Sequence, residues 1–159
     1  MKLYRKGDVM TRRDMREHCF KMLFGTSFYP TEEAATQAER YFDSPEEDDV
    51  AEDGEPVIIH QVGMKEKERT FLTVRVEDMT AKIPELDERL NEVAQGWKTR
   101  RMGKVELTIL RQALYEMLYD GEVPEKVAIN EAVDLAKKYG GKDSPAFING
   151  ILAKLVTAE

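Results

Sequence analysis

From Thr11 onward the apolar positions recur at helical spacing. At about 100° per residue, Met15, Cys19, Met22 and Leu23 fall on one side of a helix over 11–28. Thr11, three residues before Asp14, offers an N-cap with an acid in the first turn, where the helix dipole favours it. Tyr29 ends this segment because a residue before proline, here Pro30, avoids the α region. A shorter helix starts at Thr31, Glu32 and Glu33, with Ala34, Ala38, Tyr41 and Phe42 as its buried positions. The helical period resumes over 66–82 through Phe71, Leu72, Val76 and Met79. Pro84 then opens a helix through Leu86, Leu90 and Val93 that stops near Gly96.

The clearest pattern is C-terminal. Leu107, Leu110, Leu114, Met117 and Leu118 form a stripe ending at Gly121. Pro124 opens the next helix, with Ala128, Ala132, Leu135, Ala136 and Tyr139 on one face and Gly140 and Gly141 as its stop. Ser144 and Pro145 make an N-cap and first-turn pair, followed by Phe147, Ile148, Ile151, Leu152, Leu155 and Val156. Only 43–56 breaks the period. It is acidic and punctuated by Pro45, Gly54 and Pro56, as a flexible insertion would be, and Val57 to His60 suits either a short strand or an extended tether. Short connections place successive helices antiparallel or at steep angles, and the expected class is an all-α bundle of about seven helices. No fixed-period repeat suggests a solenoid.

Composition adds limits. At 159 residues, with 42% apolar, 35% charged, six prolines and ten glycines, the chain suits one helix-rich globular domain. It contains no stretch like a membrane span and no secretory start, and Cys19 is the single cysteine, which points to the cytoplasm and excludes an internal disulfide. The net charge of −7 conceals segregation. Residues 1–25 carry seven Lys/Arg against three acids, 32–55 one Arg against eleven acids, and 98–111 five Lys/Arg against Glu106 alone. Such asymmetry suits a polyanion partner, and it equally suits ordinary solvated surface.

Catalytic patterns are missing. Cys19 adjoins His18, but neighbours on a helix diverge by about 100°, so they cannot act as nucleophile and base. Neither histidine has a Glu-x-x-His partner, and no Walker or Gly-x-Gly-x-x-Gly loop occurs, so no cofactor, metal site or enzymatic activity is expected. Binding is better supported. On the first helix Arg12, Arg16, Phe20, Arg13 and Phe24 share a sector bordering the apolar stripe. Guanidinium groups suit phosphates and aromatic rings suit unstacked bases; alternatively, the phenylalanines only widen the core face. Lys98, Arg100, Arg101 and Lys104 form a second basic cluster, unless Arg100 and Arg101 pair with the acids of 84–95. Trp97 is expected as a helix-start anchor.

Several blocks in order then resemble one family. VAINEAVDLAKKYG at 127–140, Asp143 and Ser144, and FINGILAK at 147–154 resemble the C-terminal signature of NusB proteins. Trp97 with Arg100 and Arg101, ILRQALYE at 109–116, Pro124, and RRDMRE at 12–17 are similar to the same family. The resemblance implies an all-helical antitermination factor with two packed subdomains, a NusB-like helical domain over 11–156 behind an N-terminal extension at 1–10, and an acidic insertion at about 43–68 that compact relatives lack. It further implies binding of boxA-type RNA together with the ribosomal protein NusE, inside the RNA polymerase antitermination complex, chiefly at ribosomal RNA operons. Arg12, Arg13, Arg16, Asp143, Ser144 and Phe147 are the RNA positions so implied, and Phe24 and Glu106 the NusE positions. Asn130 and Asn149 belong to the signature as structural residues. Asp14 stands among the arginines, Ala146 where some relatives carry lysine, and Phe24 where some carry tyrosine, departures that imply modest RNA affinity and an interface without that hydroxyl. The competing reading is a helical protein-interaction module of the same fold without RNA. The insertion is a solvated loop, a competitor for the basic helix or a further protein site, and the oligomeric state, homodimer included, stays open.

Overall fold

The computed structural model describes residues 10–43, 65–94 and 98–157, and the backbone of 46–50 and 56–60. Helix α1 spans Arg12–Thr26, and a 3-10 turn at Thr31–Glu33 leads into α2, Ala34–Tyr41. Strands β1 (Glu46–Val50) and β2 (Pro56–His60) follow, then α3 (Glu66–Ala81) and α4 (Ile83–Val93). A second 3-10 turn, Thr99–Arg101, precedes α5 (Lys104–Tyr119), α6 (Glu125–Tyr139) and α7 (Ser144–Thr157). Seven α-helices are thus present among the described residues, as the periodicity predicts. Val57 to His60 takes the short-strand alternative, and the acidic stretch, expected as a flexible insertion, departs from expectation by supplying its partner: β1 and β2 pair antiparallel, Val50 opposite Pro56 and Glu46 opposite His60, with register irregularities between. Val57, Ile58 and Ile59 favour extended backbone because they are β-branched, and the acidic strand pairs with them. Gly96, Trp97 and residues 1–9 lie outside the described residues.

The chain divides into two units, Met1–Glu77 and Asp78–Glu159, the division falling within α3. In the first, α1 packs on α2. Cys19, Met22 and Leu23 of α1 and Ala34, Ala38 and Phe42 beside them are buried, as are Leu72 and Val76 of α3. Arg69 of α3 lies over the Phe42 ring, 4.9 Å from its centroid. Phe71, expected inside, is 48% exposed because α3 turns its Leu72 and Val76 side inward, and the Arg75 guanidinium covers the ring at 5.5 Å.

In the second unit α5 is central, packing on α4, α6 and α7, which also touch one another through α6–α7 and α4–α7. Its buried apolar row is Ile109, Leu110, Ala113 and Leu114, so the stripe is rotated from the predicted one, with Leu107, Met117 and Leu118 half-buried. Leu86 and Leu90 of α4, Ala128, Ala132, Leu135 and Ala136 of α6, and Ile148, Ile151, Leu152 and Leu155 of α7 complete the core. Arg111 closes a bidentate pair on Asp87, at 2.8 and 2.7 Å, tying α5 to α4. Tyr115 donates to Asp78 at 2.6 Å, and Lys82 donates to the same carboxylate at 2.6 Å.

Candidate RNA and partner interface

Helix α1 opens on a capping box. Thr11 Oγ1 accepts the Asp14 N–H at 3.1 Å, while the Asp14 carboxylate accepts the Thr11 N–H at 3.1 Å and its hydroxyl at 2.7 Å. The acid standing among the arginines is therefore a helix fastener. Arg12 and Arg13 are exposed and Arg16 half-buried, the first and last stacked one turn apart. Phe20 differs from the binding expectation: at 3% exposure it belongs to the core, which was the alternative for that ring. Phe24 is half-buried between Phe20, nearly parallel at 6.2 Å, and Phe28, edge-on at 5.2 Å. Phe28 is 57% exposed, so the aromatic row leads from core to solvent along one helix face. Behind it, His18 Nδ1 lies 2.6 Å from the Tyr41 hydroxyl and Cys19 is buried, both in structural roles.

In the second unit the start of α7 brings Asp143, Ser144 and Phe147 together with Glu106 from the first turn of α5. Ser144 is the first residue of α7 and not a cap whose hydroxyl faces its own helix. Its Oγ donates to Glu106 Oε1 at 2.5 Å and accepts the Gly141 N–H at 3.0 Å. Two glycines make room for this pair. A Cβ on Gly103 would stand 2.4 Å from Glu106 Oε2, and one on Gly140 would meet Ser144 Cβ at 2.6 Å and the Ala136 carbonyl at 2.8 Å. Asp143 is exposed, its carbonyl accepting the Phe147 N–H at 3.1 Å, and the Phe147 ring is half-buried. Periodicity had no means of finding the Glu106–Ser144 bond, whose partners are 38 residues apart.

The second basic cluster is at the surface: Lys98, Arg100, Arg101 and Lys104 are all exposed. Among the described residues neither Arg100 nor Arg101 meets an acid of α4, whose Asp87 pairs with Arg111. Asn91 of α4 instead holds the turn, accepting the Thr99 N–H at 2.8 Å and Lys98 Nζ at 3.3 Å. Asn130 and Asn149, expected as structural residues, are exposed. Both fall between the apolar positions of their helices, which points them to solvent. Among the described residues no three His, Cys, Asp or Glu side chains converge as metal ligands, and no helix is long and apolar enough to cross a membrane.

Residues 13–157 match the model of the NusB family. The transcription antitermination protein NusB of Lachnoclostridium phytofermentans is 44% identical over 147 residues, covering 92% of this chain and 99% of that protein. That of Agathobacter rectalis is 41% identical over 145 residues, covering 91% and 98%. Among solved structures, Thermotoga maritima NusB superposes with a TM-score of 0.75 at 25% identity, over 94% of this chain and 93% of its own. A chain in the crystal structure of a plectonemic RNA supercoil shares the fold with a TM-score of 0.66 at 22% identity. On a family match from the first arginines to the end of α7, and on relatives aligned over nearly their whole length, the chain belongs to the NusB family of transcription antitermination factors.

Proposed function

We propose that the chain works by binding, without covalent chemistry of its own: it holds boxA-type nascent RNA jointly with NusE, in the cytoplasm, as part of the RNA polymerase antitermination complex, chiefly on ribosomal RNA operons. Arg12, Arg13 and Arg16 supply phosphate donors, and Ser144, Phe147 and Asp143 shape the second contact, with Phe147 offering a ring to an unstacked base. Phe24 and Glu106 serve NusE. The observation that carries this reading is the start of α1, where Arg12 and Arg13 stand exposed on a helix fixed by its capping box. Exposed guanidinium groups on a pre-formed helix suit a polyanion, since less backbone freedom is lost on contact. The domain doing this is the segment from 11 to 156, with 1–10 and the acidic insertion as additions.

Fluorescence anisotropy of a labelled boxA RNA, with and without the organism's own NusE, tests the reading across a salt series. Binding strengthened by NusE, with log K falling by about 0.7 per neutralised phosphate against log salt, is the expected result. NusE binding without any RNA binding would instead make the chain a protein-interaction module of this fold.

A further inference from the structure

The start of α7 is held by a residue of another helix. Ser144 is buried, its one hydroxyl proton goes to Glu106 Oε1 at 2.5 Å, and its lone pair takes the Gly141 N–H at 3.0 Å. The hydroxyl is therefore committed on both sides, to the first turn of α5 and to the loop entering α7. Gly140 leaves the room that Ser144 fills, since a Cβ there would meet Ser144 Cβ and the Ala136 carbonyl, and an added Cβ at Gly103 would press on the Glu106 carboxylate. Glu106 also stands in the first turn of α5 and faces the first residue of α7.

We infer that Glu106 is a positioning residue for RNA binding, fixing through Ser144 where α7 begins and hence where Asp143 and Phe147 are presented. The inference rests on the RNA reading of that helix start. It also joins what the family resemblance divides, because a side chain assigned to the protein partner anchors the residues assigned to RNA. A NusE group that engages Glu106 thereby acts on the Ser144 end of the RNA surface.

The sign of one substitution separates this role from plain electrostatics. Removing an acid beside a polyanion site should tighten RNA binding if charge alone matters. Positioning requires the opposite. Glu106→Ala should weaken binding of boxA RNA by about three- to tenfold, less than the full effect of a charge-assisted hydrogen bond because the RNA contacts themselves remain. Ser144→Ala should do the same, and the double variant should be no weaker than either single one. Glu106→Gln should recover the loss, since its amide oxygen still accepts from Ser144. The salt slope should stay constant because no phosphate contact is removed. Anisotropy is read without NusE and at saturating NusE, so that loss of partner affinity does not enter, and thermal melts of each variant confirm folding. RNA affinity in Glu106→Ala equal to or above that of the unaltered chain overturns the inference while leaving the RNA reading intact. An unaltered chain that binds no RNA even at saturating NusE overturns both.

Discussion

Gly140 shows how one missing atom can govern a site. Its backbone is extended, φ −92° and ψ 178°, so the glycine is not there for a left-handed turn. It is there for space, with Ser144 on one side and the Ala136 carbonyl on the other. Gly140→Ala should therefore cost about 1–3 kcal/mol, seen as a lower urea midpoint at constant m-value. Gly121, with nothing within 4 Å of an added Cβ, is the internal control, and Gly121→Ala should leave the midpoint unchanged or higher. Legibility at this scale was uneven. Thr11 and Asp14 are three residues apart, so their mutual cap could be read from local spacing. Glu106 and Ser144 meet only through packing of α5 on α7, and nothing local announces that. Phe20, left open between core and binding face, and Phe71, expected inside but exposed, share a reason: each borders an apolar stripe, and which border is covered depends on what packs there.

At the scale of elements, helical periodicity located α1, α2 and α3 through α7, because amphipathic stripes, prolines and glycines are strong local signals, while α1 ends at Thr26, short of the expected Phe28. The hairpin was less legible, since an acidic run has no β preference of its own and β1 exists by pairing with β2. Helix α1 is the element on which binding can be tested most directly. Arg13→Glu together with Arg16→Glu should lower RNA affinity by about tenfold or more at low salt and flatten the salt slope by one to two phosphate equivalents, each about 0.7. Unchanged helicity by circular dichroism should accompany the loss, because both side chains lie outside the buried Cys19, Met22 and Leu23 row. Full affinity in a folded double variant would remove α1 from the RNA surface.

For the whole molecule, charge is the property that the fold must reconcile with a polyanion ligand. Residues 43–56 hold eight acids and no base, so their deletion moves the formal net charge from −7 to +1. RNA affinity should then rise modestly at low salt, and the gain should fade near 0.15 M, where the screening length is about 8 Å. A weaker complex would mark the hairpin as a contact. The capping box at the start of α1 has a consequence of another kind. Arg12 and Arg13, in the first turn, oppose the positive end of the helix dipole at a cost of about 0.3–1 kcal/mol each, which Asp14 partly offsets. The capping box holds the first turn closed against that repulsion. A phosphate chain removes the repulsion, so RNA bound there should slow exchange of the first-turn amide protons further.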